Sequence, residues 1–318
     1  MNTSLTDPRD DVDPDIRRFI QITSADYAAF SATSGTGNAA LREVALRVRE
    51  RWRAGGPKMA ASIDLTVGAR NVRIRIHRPS DRENLPTLVY LHGGGWTLFS
   101  IDTHDRLMRE YAARAGCAVL GIDYSLSPEV RFPHALDEIA DVLAWLSSAE
   151  QTAGLSRDIF ALGGDSAGAN LAISTALRRV GRAAQPRALL LNYGAFDTEH
   201  RPSHRRYDGD RYMLTAAEMD GFWANYVGNS GRTEDVLARP LLASLKGLPP
   251  VFLCIPECDI LVDENLEMAR RLTEAGVEVD SHMYKGATHS FLEAVSISPL
   301  ADLALEEASR WLQQRIGA

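Results

Sequence analysis

Apolar positions along this chain follow two rhythms, and the points where one gives way to the other outline an architecture. Between residues 13 and 53 they recur every three to four residues, predicting helices over 15–30 and 39–52 on either side of the Ser/Gly-rich SATSGTGN. From Ile63 the period falls to two. A short strand is expected to begin at Val67, and Val72, Ile74 and Ile76 alternate with Arg73, Arg75 and His77 as on a half-buried strand. Both strands are expected to be antiparallel additions to a mostly parallel sheet.

Short apolar runs then alternate with helical patterns. Strands are predicted at 88–91, 117–123, 159–163 and 188–193, with helices at 103–115, 135–147 and 167–180 between them. Strand and helix alternating at this spacing give a parallel sheet covered on both faces. The rhythm stops between about 197 and 247, where a charged stretch (EHRPSHRRYDGDR) precedes a helical pattern at 215–227. It resumes with strand 251–255, helix 263–275, strand 279–284 and a closing helix from about residue 300. An interruption of about fifty residues is too long for a connection and is expected to form a cap. The expected organisation is one α/β domain, with a core at about 60–196 and 248–318 and a helical cap built from about 1–53 and 197–247.

Composition narrows the function classes. A net charge of −7 provides no basic stripe for a phosphate backbone, so nucleic acid is not an expected partner. No apolar run approaches the roughly twenty residues needed to span a bilayer, and no membrane association is expected. The opening MNTSLTDPRDDVDPDI lacks the basic and apolar regions of a secretory signal. Cys117, Cys254 and Cys258 lack the second ligand pair of a zinc site and are expected to be plain thiols in a reducing cytoplasm. Oligomeric state is not legible.

The chemistry is carried by two glycine-rich motifs. Gly164-Asp165-Ser166-Ala167-Gly168 lies between an apolar strand and a helix. A sharp turn there forces the serine into strained geometry and lifts its hydroxyl clear at the carboxyl end of the sheet. His92-Gly93-Gly94-Gly95-Trp96 follows another strand, and its bare backbone N–H groups suit an oxyanion hole. His92 is read as a group that fixes this loop. A nucleophilic serine needs a base and an acid, and on this fold the chain order is serine, acid, histidine. Only His289 follows the last predicted strand, so it is the expected base. Glu257, Asp259, Asp263 and Glu264 are candidates for the acid; Asp263 suits a helix N-cap, and Asp259, on the loop beyond the strand, is preferred.

With these residues in hand the chain resembles the bacterial hormone-sensitive-lipase-like esterases. HGGGW, GDSAG, the Asp259–Glu264 pattern and Tyr124-Ser125-Leu126-Ser127-Pro128-Glu129 carry the resemblance over about residues 60–318. The runs 102–106 and 124–139 are most similar to the bacterial acetyl esterases of that family. The chain departs from the family at Asp259-Ile260-Leu261, where Asp-Pro-Leu is usual, at Ser125 and Ser127, and at His289-Ser290. The resemblance implies an α/β-hydrolase fold, a cap, no cofactor, and hydrolysis of small acyl esters, acetyl to about hexanoyl. It also implies oxyanion donors at the backbone N–H groups of Gly94, Gly95 and Ala167. An amidase would use the same three side chains, and a non-catalytic binding protein on this fold would be expected to lose one of them. Trp96, Tyr193 and Trp223 are the candidate substrate-contacting aromatics, with Phe19, Tyr27, Phe30, Tyr212 and Phe222 as further cap aromatics.

Overall fold

Among the described residues, eight strands form one sheet in the order β1-β2-β4-β3-β5-β6-β7-β8. The structure, a computed structural model, describes residues 11–182, 184–228 and 231–317. Residues 1–10, which belong to the polar opening and to the expected cap segment, lie outside the described residues.

β1 (Ala61–Val67) and β2 (Val72–Arg78) form a hairpin, and β2 runs antiparallel to β4 (Ala118–Asp123). Every remaining pairing is parallel: β4 with β3 (Leu85–Leu91), β3 with β5 (Leu155–Asp165), then β6 (Leu189–Asn192), β7 (Val251–Cys258) and β8 (Val279–Thr288). Val67 corrects the sequence reading, because it ends β1 rather than beginning a strand. The chain reverses directly after it, with Gly68 and Asn71 both left-handed (φ 73° and 54°), which pairs Val67 with Val72.

The helices begin and end where local chemistry dictates. α1 (Pro14–Ser31) starts at Asp13, whose carboxylate accepts the N–H groups of Asp15 and Ile16, with Pro14 in the first turn. α2 (Asn38–Arg53) packs along α1, and Trp52 sets its ring edge against Phe19, 4.7 Å between centroids. α3 (Asp105–Ala115) stops at Gly116 in the left-handed conformation.

α3 packs on the closing helix α9 (Pro299–Ile316), and α4 (His134–Leu146) packs on α5 (Ala167–Arg179). β3 and β6 are therefore buried along their length, and β4 and β7 at all but one residue each. The chain leaves β3 toward β4 on one side and returns through α4 to β5 on the other. The carboxyl ends of β3 and β5 are thus a topological switch point, where crevices open in such sheets. The segment 197–247 carries α6 (Pro202–Arg206) and α7 (Ala216–Val227), and α8 (Val262–Glu274) follows β7.

Candidate active site

Ser166 stands between the last residue of β5 and the first of α5 with φ 54° and ψ −118°, a conformation an L-residue adopts only under constraint. Its N–H is held by the Asn192 carbonyl at 2.9 Å, and Gly168 lets the turn sit against β3. A β-carbon at Gly168 would collide with the Leu91 carbonyl, so the sharp turn requires glycine there.

His289 follows β8 directly, with Nε2 3.0 Å from Ser166 Oγ and Nδ1 2.7 Å from Asp259 Oδ2. An ionised carboxylate only accepts, so Nδ1 carries the proton and Nε2 is left to accept from the serine hydroxyl. The second Asp259 oxygen accepts the Leu261 N–H at 2.9 Å, which fixes the carboxylate plane. All three residues are buried, with Ser166 6% and His289 5% exposed, enough to meet a ligand from one side.

Asp263 does not act as the N-cap of α8. It lies inside the first turn, and its Oδ2 accepts the N–H of Ser203 at 2.8 Å, pinning the start of α6 to α8. Glu264 is wholly buried, accepts the Phe196 N–H at 2.7 Å, and is pushed well above the usual carboxyl range by that burial. Glu257 accepts the Gly286 N–H. Of the four candidate acids, only Asp259 is hydrogen-bonded to His289.

The loop after β3 is shaped by its glycines. Gly94 and Gly95 have φ of 106° and 58°, and their N–H groups donate to no acceptor among the described residues. Asp165, the residue before the serine, holds the loop by accepting the Gly93 N–H at 3.1 Å and the Tyr90 hydroxyl at 2.9 Å. His92 braces the same loop: Nδ1 donates to the Gly93 carbonyl at 2.8 Å and the ring stacks on Tyr124, 4.3 Å between centroids. Burial pushes the His92 pKa down to about 3, so the ring is neutral. Ala167 is buried as the first residue of α5, where a backbone N–H has no intrahelical acceptor.

Ser166, His289, Gly94 and Gly95 open on a cavity of about 580 Å³. Tyr27, Leu41 and Arg49 of α1 and α2 form one wall. Met213, Leu214, Met219 and Phe222 of the 197–247 segment form another part of its lining.

The aromatics singled out in the sequence sit elsewhere. Trp96, with φ 55°, turns its ring away from the cavity and stacks on Tyr226 at 4.2 Å, with Trp223 4.5 Å from it. These rings pack α7 onto the glycine loop, and Trp223 faces a separate polar cavity with His200 and Glu234. Tyr193 is fully buried beneath His289, 5.1 Å between ring centroids, and supports the imidazole from below. None of the three lines the catalytic cavity. Of the further cap aromatics, Tyr27 and Phe222 do, whereas Phe19, Phe30 and Tyr212 pack against Trp52, Arg47 and Tyr207. Sequence periodicity separates buried from exposed rings but not cavity wall from core.

Comparison with known proteins identifies the family. The family model for the alpha/beta hydrolase fold matches residues 88–293. An acetyl esterase of Salmonella typhi is 32% identical over 281 residues, 86% of each chain. A solved Pyrobaculum calidifontis esterase superimposes with a TM-score of 0.87 at 29% identity, over 96% of this chain and 100% of that one. A thermostable esterase from Pseudomonas putida gives 0.80 at 26% identity, over 98% of this chain and 99% of that one. The chain belongs to the α/β-hydrolase fold family. Within it, the chain is a serine carboxylesterase related to the bacterial acetyl esterases.

Proposed function

We propose that the enzyme hydrolyses short-acyl carboxylic esters, acetyl to about hexanoyl, with Ser166 as nucleophile, His289 as general base and Asp259 as the orienting acid. The observation that carries this reading is the continuous hydrogen-bonded line from Asp259 through His289 to Ser166 at the floor of the cavity.

His289 Nε2 takes the hydroxyl proton as Ser166 Oγ bonds to the ester carbonyl carbon, and Asp259 stabilises the imidazolium. The carbonyl oxygen becomes an oxyanion, received by the N–H groups of Gly94, Gly95 and Ala167; each such donor is worth roughly 2.7–4 kcal/mol. The C–O bond to the alcohol breaks, and His289 returns its proton to the departing oxygen. Water, deprotonated by the same nitrogen, attacks the acyl-enzyme, and the acid leaves with Ser166 restored.

α1, α2 and the 197–247 segment act as a cap, since all three contribute residues to the cavity lining. A cavity lined by all three, together with the acetyl esterases among the relatives, supports a small acyl group. No described helix is long and apolar enough to cross a membrane. The three free, buried thiols fit action in the cytoplasm.

A p-nitrophenyl ester series from acetate to palmitate, with p-nitroacetanilide beside it, tests the reading. Turnover should be greatest from acetate to hexanoate, fall steeply toward palmitate and be far slower on the anilide. Ser166→Ala should fold and lose several orders of magnitude in kcat. Hydrolysis by that variant near the wild-type rate would remove Ser166 from the mechanism, and a faster anilide would make the enzyme an amidase.

A further inference from the structure

Four charged side chains used by no chemical step form one buried line beside the site. Arg49 of α2 meets Glu293, four residues past His289, with Nη1 2.8 Å from Oε2. The other Glu293 oxygen is 3.5 Å from His104 Nε2, at the N-terminus of α3. The same nitrogen is 3.3 Å from Asp165 Oδ2, and Asp165 Oδ1 accepts the Gly93 N–H. None of the four side chains is more than 5% exposed.

The contacts around His104 fit a charged imidazole. Its Nε2 faces two carboxylates, so it donates. Its Nδ1 lies 2.9 Å from the Thr103 hydroxyl, whose own proton is directed to the Ser100 carbonyl at 2.7 Å. The hydroxyl oxygen therefore accepts from Nδ1, and both ring nitrogens carry protons. Burial alone would discharge the imidazole, but Asp165 and Glu293 outweigh it and raise its pKa, while the Asp165 carboxyl is held below its usual range despite full burial. The line alternates in sign and sums to zero, so it leaves no free charge to recruit an anion.

Such a line is a costly way to gain stability, because desolvation of buried ions cancels much of their attraction. What it does uniquely is connect. It joins the loop bearing the base, the residue before the nucleophile, the glycine loop and the helix that walls the cavity. On the esterase reading above, we propose that Glu293 and His104 are positioning residues that hold the oxyanion loop in register through Asp165 and tie it to α2.

The test compares Glu293→Gln, His104→Gln and the double variant on p-nitrophenyl acetate. Competent serines are counted by inactivation with diethyl p-nitrophenyl phosphate. We expect kcat per titrated site to fall about ten- to hundredfold with KM within about threefold, since small misplacements of reacting groups cost that much. Affinity for a trifluoromethyl ketone, which binds through an oxyanion, should weaken by the same factor as kcat/KM. The double variant should be no slower than the worse single one, as for residues acting in one unit. Glu293→Asp, which keeps the charge, should retain more kcat than Glu293→Gln. Arg51→Met removes an exposed pair with Asp26 from the same helix and should leave kcat unchanged. A lowered thermal midpoint or titrated fraction with unchanged kcat per site would reduce the line to a structural role and overturn the proposal. Additive losses in the double variant would also overturn it. A wild-type enzyme that the organophosphate fails to inactivate would instead defeat the serine-esterase reading itself.

Discussion

The ring of Phe222 lies against the backbone of Gly95 so closely that a β-carbon there would overlap it. The contact joins α7 to the glycine loop and makes one aromatic side chain part of the lining of the cavity that Ser166 also faces. Two substitutions separate its consequences. Phe222→Ala opens the wall without touching the donors, so the preferred p-nitrophenyl ester should shift toward longer acyl chains while acetate turnover stays within about tenfold. Gly95→Ala must displace the ring and also hold a left-handed φ of 58°, so it should lose roughly a hundredfold or more in kcat on every chain length. An unchanged chain-length profile in Phe222→Ala would show that this ring does not limit the acyl group.

What the sequence revealed and what it hid follow from how local each signal is. The α/β alternation is local, and the sheet agrees with it; the turn around Ser166 and the position of His289 are local too, and the fold brings both side chains and Asp259 within hydrogen-bonding distance. Val67 was misread because the alternating pattern does not show where a strand stops; the left-handed Gly68 and Asn71 decide that. Trp96 was misread because its own φ of 55° carries the ring over to Tyr226 in a distant helix. The line Arg49–Glu293–His104–Asp165 could not be read at all. Its members come from four segments, and although Asp165 lies in the motif around Ser166, nothing local pairs it with His104, Glu293 or Arg49.

Acid stability should report on His92. Burial depresses its folded pKa to about 3, against about 6.5 for an unfolded histidine. As pH falls through 6.5 the unfolded chain takes up a proton that the folded protein refuses, so stability is full above 6.5 and is lost progressively toward 3. His104 has the opposite sign: its raised pKa contributes stability that is complete below 6.5 and is lost at higher pH, outside this window. Glu264, raised by burial, and His204, lowered by burial, titrate in both wild type and variant and cancel in the difference. Urea unfolding of wild type and His92→Gln between pH 4.5 and 6.5 isolates the effect. The wild-type profile should be the steeper, by up to about 1.4 kcal/mol per pH unit, the limit for one proton. Parallel profiles would mean that the His92 ring is not held neutral.

Asp259 and Asp263 lie four residues apart in one acidic run, and substitution by asparagine separates them sharply. Asp259→Asn keeps the shape beside His289 but replaces an acceptor of the Nδ1–H with a group that is half donor. The imidazole then settles readily with its proton on Nε2, facing Ser166, where it cannot act as a base. The imidazolium formed during acyl transfer also loses its compensating charge. In the serine-protease triad the same exchange costs about 10⁴ in kcat, so a loss of roughly 10²–10⁴ is expected here. Asp263 instead accepts one backbone N–H, that of Ser203, at the start of α6. An asparagine oxygen accepts that N–H almost as well, so Asp263→Asn should cost no more than about 1 kcal/mol and less than about tenfold in rate. Because Ser203 also donates its hydroxyl to the Ile260 carbonyl, beside Asp259, any small loss in Asp263→Asn should grow on adding Ser203→Ala. Measuring kcat and the thermal midpoint for the variants decides between the aspartates. An inactive Asp263→Asn beside an active Asp259→Asn would reverse the assignment of the acid.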